Sequence, residues 1–467
     1  MNAQPPVIPT PASRRLAVFL KLASIGLLLL LLQIPLFMTR GVLTERQGYQ
    51  RQATQEIAAL WGRQQQVTGP VLAIPYEYRA LVTRTREVNG RAVQVDEWTR
   101  CEATAYFLPE TLAADGEVET EVRHRGIYDA AVYATRLKLQ GEFRPDFAGA
   151  GIENEAVHWE RARVMLGISD LRGLRSVTPL GRPGGRAAAF ETTDGKTAGE
   201  FPLAAAVGLA AGEAVPFTLE LALQGSEQLA VAPTGKQTRA ALHAAWADPS
   251  FVGAYLPVKR TIAPAGFTAE WEVSHFSRGF PQSWTDRTAN TPEVLRKIDA
   301  AGFGVRFVRP IDGYGMVERA RKYGVLFFVL VFAVFFLFEV TAGRRIHPLQ
   351  YAMVGAALCL FFLGFLALSE FLATGAAYGI AAAACTALVA LYAWSFLGSG
   401  GRTLVIGGGL AATYGYLYFV LQSQDYARVA GTLALFAALA LVMFCTRRIN
   451  WYSLEMNAAA APAAGNR

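Results

Sequence analysis

LFEVTAGRRIHPLQYAMV, Leu337 to Val354, joins two runs of the chain that are otherwise almost wholly apolar. Two arginines, a histidine and a proline interrupt surface that avoids water. On the N-terminal side, Tyr323–Val340 is apolar apart from Glu339, and on the other side Leu349–Leu368 carries no charge. Each run is about as long as a helix needs to cross a bilayer. Short loops rich in Lys and Arg stay on the cytoplasmic side, so Arg344 and Arg345 place this loop inside. Pro348 suits the first turn of the helix that follows.

Similar runs lie further along, at Phe371–Leu397, Leu404–Leu421 and Ala427–Cys445, and a sixth lies near the N-terminus at Leu16–Met38. That sixth run follows Arg14 and Arg15, but the MTRGVLTE stretch after it has no Ala-x-Ala-like cleavage site. It therefore reads as an uncleaved anchor rather than a secretory signal. If all six runs cross, Arg14, Arg15, Arg402, Arg447 and Arg448 fall on the same side as Arg344 and Arg345. The opposite loops are poorer in cations, with Ser369 and Glu370 in one and Asp425 and Arg428 in the other. Arg319, Arg321 and Lys322 flank a run on the far side. They follow a long translocated segment, where the charge rule is weak. The expected organisation is a cytoplasmic extension (1–15), an anchor (16–39), an external domain (40–322), a five-helix bundle (323–446) and a cytoplasmic tail (447–467).

Composition agrees with this division. The 467 residues are 52% hydrophobic with a formal charge of +7. No basic helix or RNA-binding aromatic motif accompanies the excess charge, so it reads as membrane-flanking, and a nucleic-acid partner is not expected. The external segment is long enough for one large core or two small ones. Its start, Thr44–Gln66, is rich in helix formers and reads as a polar helical stalk. Beyond it the hydrophobic period becomes two. Leu137, Leu139 and Phe143 alternate with Lys138, Gln140 and Glu142; Phe217, Leu219, Leu221 and Leu223 alternate with Thr218, Glu220, Ala222 and Gln224; and Phe267, Ala269, Trp271 and Val273 repeat the pattern. Such alternation marks antiparallel strands with one buried face. The fold class expected is a mixed membrane protein: a six-helix transmembrane bundle plus a large β-rich domain. That domain is a sandwich or barrel, with a division into two lobes at the Gly, Pro and Ala-rich stretch Pro179–Ala206 as one option.

Little in the sequence points to chemistry. There is no Walker A loop, GxSxG elbow, HExxH or CxxC. Cys101 is the one external cysteine, which rules out a disulfide within that domain, and the strand-like CEATAYF around it suits a small buried side chain. Cys359, Cys385 and Cys445 lie in apolar runs. His124, His158, His243 and His275 lack metal-ligand spacing. Asp115, Glu117, Glu119 and Glu121 alternate with Gly116, Val118 and Thr120, as on the exposed face of a strand.

The residues GPVLAIPY (Gly69–Tyr76), FLPETL (Phe107–Leu112), GIYDAAVY (Gly126–Tyr133), SFVGAYLP (Ser250–Pro257), HPLQY (His347–Tyr351), ALSE (Ala367–Glu370) and NWYSL (Asn450–Leu454) resemble the CreD family. The resemblance covers most of the chain and departs at the Pro-rich N-terminal extension, the Gly and Ala-rich middle of the external domain and the Ala-rich tail. It implies a bacterial inner-membrane protein with a periplasmic domain, associated with cell-envelope integrity and belonging to a regulon under a two-component system. It implies no reaction and no catalytic residues.

The candidate functional residues lie in or beside the membrane. An ionisable group in hydrocarbon is costly, which makes Glu339 and Glu370 the first to consider for proton or ion handling. Both lie close to an expected interface, and Arg344 or Arg345 is the expected partner of Glu339. His347, beside those arginines, suits a loop-ordering or lipid-headgroup role. The small-residue runs Gly407–Gly409 and Gly375–Cys385 suit close helix packing. The function expected is non-enzymatic: a β-rich module anchored by a helical bundle, binding an envelope protein, peptidoglycan or lipopolysaccharide, in contact with membrane lipids and without a cofactor. A transporter using the two carboxylates, with the external domain as receptor, is the alternative. An envelope-modifying enzyme with an unfamiliar site stands third.

Overall fold

The computed structural model describes residues 11–88, 91–182, 187–193, 201–307, 313–342, 346–397 and 399–422, with isolated positions between 429 and 447. The chain divides into two compact units, Gln50–Pro310 and Met1–Tyr49 with Ile311–Arg467. The first is a β domain and the second is helical.

In the helical unit, α1 (Pro11–Leu31) runs into α2 (Gln33–Trp61). Helical hydrogen bonds continue through the join, from the Leu32 N–H to the Leu28 carbonyl and from the Leu36 N–H to the Leu32 carbonyl. The C-terminal part of the chain continues, after a short α3 in the β domain (Thr291–Ala300), with α4 (Gly313–Ala342), α5 (Pro348–Ser369), α6 (Thr374–Leu397) and α7 (Gly400–Gln422). Among the described residues, four helical segments are long and apolar enough to cross a membrane: Leu20–Trp61, Pro348–Ser369, Thr374–Ser395 and Gly400–Gln422. The run Tyr323–Val340 lies inside α4, and Ala427–Cys445 falls mostly outside the described residues.

Two boundaries and one packing expectation differ from the sequence reading. Phe371 and Leu372 precede α6 in a turn rather than entering the span. The polar helix ends at Trp61, where Gly62 takes a φ of 135°, a conformation a side chain would resist. Gln65 and Gln66 therefore open a strand instead of closing a stalk. The small-residue runs pack closely only in part. A Cβ on Gly375 would meet the Tyr418 hydroxyl at 2.8 Å and one on Gly407 would touch Ala390, whereas Gly379, Gly408 and Gly409 face open space.

The β domain consists of two mixed sheets packed face to face. One centres on β1 (Gln65–Val88), antiparallel to β2 (Arg91–Phe107) and to Arg163–Ile168, and parallel to Gln228–Val231. The other pairs β3 (Thr111–Arg125) with β4 (Tyr128–Phe143), which pairs in turn with Val215–Ser226. Across β3, Gln237–Ala244 runs parallel and leads to Gly266–Ser274. All three alternating stretches behave as strands with one buried face: Leu137, Leu139 and Phe143, Phe217 to Leu223, and Phe267 to Val273 fill the interior. Asp115, Glu117, Glu119 and Glu121 sit on the exposed face of β3, where Asp115 and Glu117 lie opposite Lys138 and Arg136. Cys101 is half-buried in β2 rather than enclosed.

One core runs between the sheets, so the division into two lobes is absent. Leu203–Ala206, from the stretch expected to separate them, instead pairs with Arg163–Ile168 at the side of the first sheet. A second cluster covers that sheet's outer face, where α3 contributes Val294, Leu295 and Ile298 against Val71, Ala73 and Tyr106. β1 is thus buried on both faces, which explains why GPVLAIPY is continuously apolar rather than alternating.

The sheets leave no room for a side chain at Gly141. A Cβ on Gly141 would lie 2.0 Å from the Thr111 carbonyl oxygen and 2.7 Å from the Phe217 ring. Gly141→Ala is expected to lower domain stability by about 1–3 kcal/mol through overpacking, read as a reduced urea midpoint.

Candidate functional site

The two carboxylates singled out in the sequence both meet cations from the first helices. Glu339, in α4, pairs with Lys21 of α1, whose ammonium also donates to the Ile346 carbonyl at 2.7 Å. The Tyr351 hydroxyl donates to the other Glu339 oxygen at 3.2 Å, and Lys21 lies 5.9 Å from the centre of the Tyr351 ring. The expected partners Arg344 and Arg345 lie outside the described residues. Lys21 was not among the sequence candidates, although a lysine five residues into an apolar run was a signal that could have been followed. Glu370, just past α5, forms an ion pair with Arg46 of α2, Nε to Oε1 at 3.3 Å, and its side chain is only 9% exposed.

Lys21 and Arg46 are separated by twenty-five residues of nearly unbroken helix, or roughly 38 Å along the axis. That span matches a bilayer together with part of its headgroup layers. The first helices therefore clamp the bundle at two levels, each with a cation from the N-terminal segment on a carboxylate from the C-terminal one.

His347 caps α5. Its Nδ1 accepts from the Leu349 N–H at 3.2 Å, and the Gln350 side chain returns to accept from the His347 N–H at 2.9 Å. This reciprocal cap orders the start of the helix. Between the two ends, the bundle interior is aromatic. Phe361 packs against Tyr414 and Tyr378 with ring centres 4.5 and 5.4 Å apart. Its polar atoms are satisfied in a chain: the Tyr378 hydroxyl donates to the Tyr414 carbonyl, the Tyr414 hydroxyl to Cys385 Sγ, and the Cys385 thiol to the Ala357 carbonyl.

In the β domain, a polar cleft of about 360 Å³ opens where β1 begins, lined by Gln64, Gln65, Gln66, Thr68, Ser169, Gln228 and Asp299 over a wall of Phe201 and Leu295. The triple glutamine belongs to this cleft instead of to the expected stalk. Thr68 Oγ1 donates to Asp299 Oδ1 at 2.5 Å, and Gln66 Nε2 donates to the Asp299 carbonyl at 2.9 Å, tying α3 to β1. Gln65, which is buried, donates to the carbonyls of Asp170 and Gln224. Gln64 reaches Glu227 at 2.8 Å, and Gln228 accepts from Arg306 at 3.1 Å. The cleft thus offers amides, hydroxyls and one carboxylate, a set of donors and acceptors suited to a neutral hydroxyl- or amide-bearing ligand.

Asp170 follows Ser169, which lines this cleft. The Arg172 guanidinium, the Arg172 N–H and the Arg63 N–H all donate to its carboxylate and hold its pKa below the usual value. A depressed carboxyl pKa adds stability above the unfolded pKa of about 3.9, and that contribution disappears as pH falls through the folded value. Asp170→Asn should therefore lower stability at neutral pH and flatten the loss seen below about pH 4. Urea midpoints measured across that range check it. A more deeply buried cation, Arg278, was also missed. It donates to the carbonyls of Pro233, Thr234 and Gly235 at 2.7–3.1 Å and lies over the Phe280 ring, and burial pushes its pKa down to about 10.

The histidines are dispersed. His124 meets Asp129, His158 lies between Glu77 and Glu160, His243 meets Thr268, and His275 stacks on Phe276. No group of three potential metal ligands occurs among the described residues.

Residues 17–452 match the family described as "Inner membrane protein CreD". The chain is also similar to the inner membrane protein CreD of Escherichia coli (strain K12), with 30% identity over 443 residues covering 94% of each protein. With its apolar spanning helices and a match over nearly its whole length, the chain belongs to the CreD family of inner membrane proteins.

Proposed function

We propose that this protein supports cell-envelope integrity without catalysis, holding its β domain on the periplasmic side of the inner membrane, where the glutamine-lined cleft binds a glycan-bearing envelope component such as peptidoglycan or lipopolysaccharide. The observation that carries this reading is the cleft itself, whose amides and hydroxyls over an apolar wall match the hydroxyl and acetamido groups of such glycans. The pairing of Glu339 with Lys21 and of Glu370 with Arg46 favours bracing over proton handling, because each carboxylate already has its counter-charge. The Lys21 ammonium meets the Ile346 carbonyl, so the N-terminal helix and the start of α5 share one end of the bundle, which supports placing both on the cytoplasmic side.

The binding test uses the full chain in detergent, incubated with isolated sacculi and, separately, with lipopolysaccharide. Retention on one of them, falling about tenfold in Gln64→Ala with Gln228→Ala, is expected from the loss of two ligand hydrogen bonds. Retention on neither would end the reading. For topology, a cysteine replacing Phe276, which is 88% exposed, should react with a membrane-impermeant maleimide in whole cells when the native cysteines are replaced by serine. A cysteine replacing Leu349 should react only after lysis, and the reverse pattern would invert the orientation.

A further inference from the structure

The helical unit carries a second recess, of about 480 Å³, between the first helices and α4. Its walls are Ile34, Leu36, Phe37, Met38 and Val325, and its polar end is formed by Arg321 and Lys322. Leu36 is buried, whereas Ile34, Phe37, Met38 and Val325 present 45–67% of their surfaces, forming an apolar groove open along its length. Arg321 Nε is buried with no hydrogen-bond partner among the described residues. An unused guanidinium donor inside a recess is costly unless an acceptor arrives there.

The charge around this recess is unbalanced. Arg40 lies at the end of the first apolar run, with its guanidinium 6.0 Å from the Phe37 ring centre. Glu318 is paired with Lys322 at 3.0 Å and also feels the charges of Arg321 and Arg40. Among the described residues, three cations thus share one carboxylate, an excess of two positive charges. Arg319 does not compete for the same acceptor, since its Nε donates back to the Gly315 carbonyl. Both helices change from apolar to charged at this level: α2 after Met38 and α4 before Tyr323. A recess with an apolar groove below that boundary and a cationic end at it has the profile of a phospholipid, with acyl chain in the groove and phosphate at the cations.

We infer that the groove between Ile34–Met38 and Arg321–Val325 is a binding site for one anionic phospholipid, whose phosphate takes the free Arg321 donor together with Lys322 and Arg40. A guanidinium suits this task because it presents several donors in a plane to phosphate oxygens. The phosphate also gives a role to Arg321 and Lys322, two of the three basic residues on the side where the charge rule makes cations unexpected.

The test is native mass spectrometry of the full-length chain, purified in mild detergent and exposed to phosphatidylglycerol or phosphatidylcholine. One phosphatidylglycerol should be retained in preference to phosphatidylcholine. Replacing Arg321 and Lys322 by Gln should reduce retention by about 30-fold, as expected for two cations near a lipid phosphate. Arg402→Gln, at another helix start, should leave retention unchanged. Met38→Trp, which fills the groove without altering charge, should also lower retention, and it carries the test if the double variant fails to insert. Equal retention of both lipids, or unchanged retention in the variants, would overturn the assignment. Displacement of the lipid by millimolar inorganic phosphate alone would show a site for free phosphate and would equally overturn it.

Discussion

Lys21→Met is expected to destabilise the helical unit by about 3 kcal/mol, the lower end of the range for removing one member of a buried ion pair. The lower end applies because the Lys21 and Glu339 side chains keep 20% and 11% of their exposure, so the pair is only partly dry. Without Lys21, Glu339 retains among the described residues a single neutral donor, the Tyr351 hydroxyl, which does not balance its charge in a largely apolar setting. Two further variants separate bracing from transport. Lys21→Met combined with Glu339→Leu removes both charges and should recover most of the loss, since replacing a buried pair by apolar groups is often neutral or better. Exchanging the two residues, Lys21→Glu with Glu339→Lys, should recover part of it. The readout is the unfolding temperature in detergent together with the amount of protein in the membrane. A Lys21→Met protein as stable as the parent would show that the contact braces nothing. A Glu339→Gln protein of full stability that failed to complement a deletion strain would instead move the function into the bundle.

The second large effect is expected in the β domain, where Trp271→Ala should cost about 3–5 kcal/mol. Trp271 is 1% exposed and joins the sheets: it stands on one and packs against Phe251 and Phe303 of the other, with ring centres 5.8 and 5.5 Å away. Its indole N–H donates to the Tyr255 carbonyl at 3.2 Å, so truncation both opens a cavity and removes a donor from a backbone oxygen. Trp271→Phe should cost less, about 1–2 kcal/mol, because most of the ring volume remains while the hydrogen bond is lost. Urea midpoints followed by far-ultraviolet circular dichroism distinguish the two. An unchanged midpoint in Trp271→Ala would mean that the sheets do not depend on this contact.

The strength of these expectations follows from how differently the two parts of the chain could be read. Leu137, Leu139 and Phe143 on β4, and Phe267 to Val273 opposite Gln237–Ala244, were legible as one-sided strands because side chains alternate across a strand whatever it pairs with. The spanning helices at 348–369, 374–395 and 400–422 were legible for a similar reason, since length and apolarity are properties of a segment by itself. The stalk was overextended because Gln64–Gln66 have helix-compatible composition, and only pairing with Ser169 and Gln228–Val231 draws Gln65 and Gln66 into β1.

What the sequence by itself determined, then, was the division into apolar helices and a β-rich segment, the buried face of the alternating strands and the exposed face of Asp115–Glu121. Each is set within a few residues by backbone geometry and by the cost of exposing apolar surface. Only the tertiary structure decided that one core serves the whole β domain, that Glu339 takes Lys21 from 318 positions away, that Glu370 takes Arg46, and that glutamines and Asp299 share a cleft. The physical reason is that a charge or an amide bonds to whatever packing brings within about 3 Å, and no local pattern records which distant segment that will be.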